Sequence, residues 1–269
     1  MGRLPRMPAR ESVISAASLC LVTALSGCSV PSSGSSSAGQ PGPAPARSAV
    51  HSAGAAVAFT VAGSRPVLPS GSRDTHAQTP GTRCDGARLT ADKAMGARVA
   101  RGFALAGFPA AADLLTHFLT GKGTEIDYRA GSLISEKARA SAAFRAVNDE
   151  VQVAVLSQLK AGRTRVRLSA DQLPAVTFES RTSDLYWGFR GTQGLTVTGS
   201  GRRTNRGYAG TLTYVIRDSY GFPASDTLHG FGAPMRYLQT ACGAPQHPGG
   251  AHWFPDTITV TVPFSQPAP

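Results

Sequence analysis

The chain has 269 residues, with 27 Lys and Arg against 16 Asp and Glu, for a formal net charge of +11. That excess of base favours anionic partners such as phospholipid headgroups or phosphate-rich polymers. Hydrophobic residues make up 41%, sufficient for one globular domain, and no second hydrophobic span follows the N-terminal apolar run.

Met1 to Arg10 holds Arg3, Arg6 and Arg10 and no acid. Ser12 to Leu25 is uncharged, with Val13, Ile14, Leu19, Leu21, Val22 and Leu25 supplying hydrophobicity. About fourteen residues do not comfortably span a bilayer of roughly 30 Å. A basic start, a short apolar run and small residues after it define a secretory signal. The arginines are not adjacent, which points to general secretion rather than the twin-arginine route.

Leu25-Ser26-Gly27-Cys28 then places an aliphatic residue three before a cysteine and a small one directly before it. Cys20, preceded by Leu19, lacks that pattern. Over residues 1–28 the chain resembles bacterial lipoproteins, and its Arg-over-Lys bias with abundant Ala, Gly and Pro resembles high-GC actinobacterial usage. The lipoprotein resemblance implies a diacylglyceryl thioether on Cys28 and removal of residues 1–27. It implies anchoring at the outer face of the plasma membrane, since more than one acyl chain anchors stably. Export excludes nucleic acid as the anionic partner.

With Cys20 removed and Cys28 lipidated, Cys84 and Cys242 remain in an oxidising compartment. There, paired thiols become disulfides. The expectation is a Cys84–Cys242 bridge near the two ends of the folded region.

Ser29 to about Arg83 is rich in Ser, Gly, Pro and Ala. Such composition buries too little surface to offset chain entropy, so residues 28–83 read as a lipidated cysteine and disordered tether. A flexible coil of that length spans on the order of 40 Å. Residues 55–61, Ala-Ala-Val-Ala-Phe-Thr-Val, alternate in polarity, and whether they add a strand to the domain is left open.

Residues 84–269 read as a single α+β domain. Thr90 caps a helix to about Ala106. Pro109 starts a second, with Leu114, Leu115, Phe118 and Leu119 on its apolar face and Gly121 at its end. Ser135 caps a third helical region to about Lys160, in one piece or two. The second half turns to period two, with strands expected at Thr164–Leu168, Val176–Glu179, Leu185–Arg190, Gly194–Gly199, Tyr208–Arg217 and Thr257–Val262. Residues 200–207 read as a hairpin loop, and a short helix is expected from Ala233 to Thr240. Helices first and antiparallel strands after them are the α+β pattern, with N-terminal helices packed on a mainly antiparallel sheet.

Three constellations carry chemistry. Arg163, Arg165 and Arg167 alternate along one expected strand, which puts all three on one face. That face is either a charged edge or an anion-binding surface, for which forked guanidinium donors suit phosphate. Asp218, Tyr220, Asp226, His229 and Arg236 cluster within twenty residues. Together they supply carboxylate, phenol, imidazole and guanidinium for a phosphoryl-transfer or hydrolytic site. Asp218 and Tyr220 also suit a turn at a strand end.

The third constellation is the loop with His247, His252, Trp253 and Phe254. It pairs two histidines that could join His229 or Asp256 on a metal, without a zinc spacing. Packing of Trp253 and Phe254 on the core is the alternative, and no metal or other cofactor is expected. Tyr186-Trp187-Gly188-Phe189 reads either as a glycan platform or as core.

Asp218-Ser219-Tyr220 resembles a segment of colicin M-type bacteriocins, which cleave the phosphodiester of lipid-linked peptidoglycan precursors. Their motif is Asp-x-Tyr-Asp, five residues, then His-Arg. Here Gly221 replaces the second Asp, His229 lies two residues too far along, and Gly230 stands in place of arginine. The resemblance covers about a dozen residues. It implies an envelope phosphodiester hydrolase acting on a lipid-linked cell-wall precursor. Gly-x-Ser-x-Gly, His-Glu-x-x-His and Ser-x-x-Lys are absent. The reading from the residues is a lipid-anchored envelope protein, a non-catalytic module for an anionic cell-wall polymer or phospholipid headgroup, with the hydrolase as the alternative.

Overall fold

Among the described residues, helical periodicity and strand alternation place six α-helices on one side of a six-stranded sheet. The computed structural model describes residues 56–66, 83–120, 123–189, 192–222, 230–243 and 249–267, all within one compact unit, His51–Pro269. The helices are α1 (Gly86–Leu105), α2 (Pro109–Thr120), α3 (Leu133–Ala140), α4 (Ala142–Lys160), α5 (Asp184–Phe189) and α6 (Gly232–Thr240). The strands are β1 (Val57–Arg65), β2 (Ile126–Tyr128), β3 (Arg165–Leu168), β4 (Gly194–Thr204), β5 (Gly207–Tyr220) and β6 (Phe254–Pro267). Their order across the sheet is β2-β6-β5-β4-β1-β3. Only the β2–β6 and β1–β3 pairs are parallel, so the α+β expectation holds.

The question of residues 55–61 is answered by β1, which lies between β4 and β3. The sheet therefore includes Val57–Arg65, upstream of Cys84. Phe59 and Val61 alternate into the core, each 3% exposed, and the Phe59 ring meets Phe264 edge-on. Gly201 on β4 makes room for it: a Cβ there would meet the Phe59 ring and the Ala209 carbonyl at 2.4 Å each. The remainder of the expected tether, the signal and the lipobox lie outside the described residues.

Several boundaries move for local reasons. Asp85, not Thr90, caps α1, accepting the Arg88 amide at 2.7 Å. The third helical region divides at Ser141, whose hydroxyl accepts the Phe144 amide and starts α4. Ser132 caps α3, while Ser135 is buried and donates to the Thr259 carbonyl at 2.6 Å. Gly162, at φ +81°, ends α4. The Arg163 amide reaches back to the Gln158 carbonyl and the Gly162 amide to Leu159, a Schellman closure.

Leu185–Arg190 is not a strand, because Leu185 to Phe189 belong to α5. Six residues are too few for periodicity to separate helix from strand. Asp184 decides it from outside. Its carboxylate accepts the Ala110 and Ala111 amides at the start of α2 and the Lys137 ammonium at 2.8 Å. A residue 3% exposed thus satisfies two helix-terminal N–H groups. Val176–Glu179 forms no strand, although Val176 and Phe178 are buried. The expected hairpin loop shrinks to Asn205 and Arg206, since β4 and β5 pair until Thr204 meets Gly207.

The core lies between helices and sheet. Phe144, Val147, Val151, Val155 and Leu159 of α4 and Leu114, Leu115 and Phe118 of α2 join one cluster with Leu195, Val197, Leu212, Tyr214, Val260 and Val262. Each such side chain contributes about 1.5–3 kcal/mol on burial. The Cys84–Cys242 disulfide is formed and ties the start of α1 to the residues after α6. Tyr237 of α6 supports the same junction, taking the Asp85 amide at 2.6 Å and donating to the Arg83 carbonyl.

Candidate functional site

The loop between α4 and β3 and the β4–β5 hairpin meet at one end of the sheet and enclose a cleft of about 290 Å³. Arg163 and Thr164 enter it from the first, Arg203 and Asn205 from the second, with Phe59 and Tyr208 behind them. No acidic residue lines it among the described residues. The Arg203 guanidinium lies 5.7 Å from the centre of the Tyr208 ring, and Tyr208 donates to the Leu159 carbonyl at 3.4 Å. Arg163 bonds the Gln158 carboxamide at 3.4 Å. Two guanidiniums, a threonine hydroxyl and an amide around one concavity form a donor set for a phosphate or carboxylate group.

This arrangement corrects the arginine triplet. β3 begins at Arg165, and the Schellman turn at Gly162 takes Arg163 out of the strand. Arg165 and Arg167 remain as a pair, exposed on the side of the sheet away from the helices, with Val166 and Leu168 buried opposite. Arg203 was missed because residues 200–207 read as a loop with no defined facing.

The second constellation divides. β5 continues to Tyr220, so Asp218 sits inside a strand and pins no turn. Its register partner is Asp256 of β6. Both fall on the helix-covered face, between Ile216 and Tyr220 on one strand and between Phe254 and Ile258 on the other. Asp256 is 1% exposed, and neither carboxyl oxygen has a hydrogen-bond partner. Asp218 keeps some residue surface, but its carboxyl is withdrawn from water and accepts the Ser219 amide at 2.8 Å. Burial pushes Asp218 up to about 8, partly opposed by that hydrogen bond. Burial also drives Asp256 well above the carboxylate range, reinforced by Asp218 and then by Glu125.

Tyr220 stacks on Phe254 with centroids 5.4 Å apart. Arg236 is on α6. Asp226 and His229 lie outside the described residues, as does His247. His252 gives its amide to the Phe118 carbonyl, and Phe254 is fully buried. Among the described residues no three His, Cys, Asp or Glu converge on a metal-sized site. Trp187 meets Tyr186 edge-on and Phe103 at 5.5 Å, within an aromatic cluster that runs through Phe108 and Phe231. No helix among the described residues is long and apolar enough to cross a membrane. No known protein family matches this chain, and neither does any characterised protein or solved structure.

Proposed function

We propose that this chain is a lipid-anchored protein of the cell envelope whose folded domain binds an anionic ligand without transforming it. The observation that carries the binding reading is the cleft lined by Arg163 and Arg203, from separate elements, and by no acid among the described residues. Anchoring rests on the Leu25-Ser26-Gly27-Cys28 pattern. The test is calorimetric titration of the full chain with inorganic pyrophosphate. Binding that is lost in Arg163→Ala/Arg203→Ala is the expected result, and affinity unchanged in that variant overturns the assignment. For the anchor, the chain expressed in a bacterial host partitions into detergent, and Cys28→Ala leaves it in the aqueous phase.

A second reading, an envelope phosphodiester hydrolase, is favoured by one observation: Asp218 faces Asp256, and a paired, withdrawn carboxyl holds a proton near neutral pH, as a general acid must. Incubation with a lipid-linked peptidoglycan precursor and a divalent metal, beside Asp218→Asn, tests it. Release of a pyrophosphoryl product that disappears in the variant favours the hydrolase, and no release retires it.

A further inference from the structure

All six helices join the core on one face of the sheet, and the other face is open among the described residues. Because β1, β4, β5 and β6 pair without a bulge, register fixes what the open face displays. One row across the strands reads Thr261, Thr213, Thr198, Ala62 and Arg167. The next reads Pro263, Thr211, Ser200, Thr60 and Arg165. A third runs Thr259, Val215, Thr196 and Ser64, with Ser64 and Thr196 hydroxyls 3.3 Å apart. The strands along a row stand about 4.8 Å apart, and the Thr213 and Thr261 hydroxyls lie 3.4 Å apart.

The charge on this face is almost wholly positive among the described residues. Arg165 and Arg167 close the rows at the β3 edge, Arg202 lies at the hairpin end, and Arg217 at the other end donates to Thr196 at 2.7 Å. Asp127 is the single acid on the open face among the described strands, and it is held by Thr257 and Arg129. Solvated protein surfaces ordinarily intersperse both signs. An ordered hydroxyl lattice bordered by guanidiniums matches a chain that presents hydroxyls at regular intervals and carries anionic substituents.

We propose that the open sheet face binds a phosphate-bearing polysaccharide laid across the strands. Sugar hydroxyls meet the threonine rows, and phosphates meet Arg165, Arg167, Arg202 and Arg217. A second copy of this chain is the poorer occupant. Among the described strand residues the face offers Val215 as its one large aliphatic side chain, and stable dimer interfaces are more apolar than that. Pairing would also bring arginine toward arginine. The proposal rests on the anion-binding reading above and names its polymer.

The probe is a phosphomannan, compared with the same mannan stripped of its phosphates, measured against the full chain by biolayer interferometry. Two variants address the face: Thr198→Trp, which changes shape but no charge, and Arg165→Ala/Arg167→Ala. Circular dichroism checks that both fold. Each is expected to weaken phosphomannan binding by about tenfold or more while leaving pyrophosphate binding at the cleft unchanged. Wild-type affinity for phosphomannan in Thr198→Trp overturns the proposal, as does equal affinity for the stripped mannan. So does a wild-type dimer that Thr198→Trp dissociates. If pyrophosphate binds through Arg163 and Arg203 but phosphomannan ignores the face variants, only this inference fails. If neither probe binds, the anion-binding reading fails with it.

Discussion

Asp218 and Asp256 stand directly opposite each other on β5 and β6, on the face of the sheet that the helices cover. Like charges in directly opposed positions destabilise a sheet, and burial adds to the penalty on the charged forms. The pair is therefore held by protonation, with Asp218 raised to about 8 and Asp256 raised well above its ordinary value.

The pH dependence of stability follows from that direction. A carboxyl whose folded value is raised contributes stability fully below its unfolded value, near 4, and loses it as pH climbs through the folded value. Melting temperature is expected to fall as pH rises from about 4, the unfolded value, to about 8, the folded value of Asp218. Asp256→Asn flattens the fall, with roughly 2–4 °C recovered for each kcal/mol regained. A wild-type melting temperature that rises over the same interval counts against a protonated pair.

Breaking the Cys84–Cys242 bridge frees a loop of 158 residues in the unfolded chain. Chain entropy alone predicts close to 5 kcal/mol, and removed natural bridges cost about 2–5 kcal/mol. Denaturant titration of Cys84→Ser/Cys242→Ser is expected to show a loss in that range. A midpoint equal to that of the oxidised wild type sinks the prediction.

Asp184 and Lys137 are unequal partners, with side chains 2% and 34% exposed. Asp184→Ala strips acceptors from the Ala110 and Ala111 amides as well as from Lys137. It should cost about 3 kcal/mol, since buried donors are left unmade. Lys137→Ala leaves Asp184 its two amide bonds and should cost about 1 kcal/mol. Equal losses in chemical denaturation would show that the amide contacts contribute nothing.

Gly201 is fixed by its neighbours. Alanine there would place its Cβ 2.4 Å from the Ala209 carbonyl, which belongs to the adjacent strand and cannot swing aside. Gly201→Ala should lose about 1–3 kcal/mol, the cost of overpacking. Gly102, on α1 with open space around its Cβ position, should gain up to about 1 kcal/mol as alanine. Thermal melts of the two variants that move in the same direction would overturn the contrast.

Local signals in the sequence located what local physics controls. Apolar spacing marked α2 and α4, alternation marked the cores of β4, β5 and β6, and the two cysteines outside the N-terminal signal and lipobox pattern marked their own bridge. α5 was illegible because the carboxylate that fixes its first residue engages groups more than seventy positions upstream. β2 is three residues long and exists through parallel pairing with β6.

The candidate site divides along the same line. Arg163 and Asp218 stand out in the sequence by residue type. Their partners Arg203 and Asp256 do not, because each partner is set by a strand register fixed over long distances. The sequence by itself determined composition, charge, helix periodicity and the cysteine pair, all of which depend on neighbours within a few positions. Only the tertiary structure decided that Arg163 leaves its row, that two carboxylates face each other, and that the described helices leave one sheet face open, because interstrand pairing joins residues that chain proximity keeps apart.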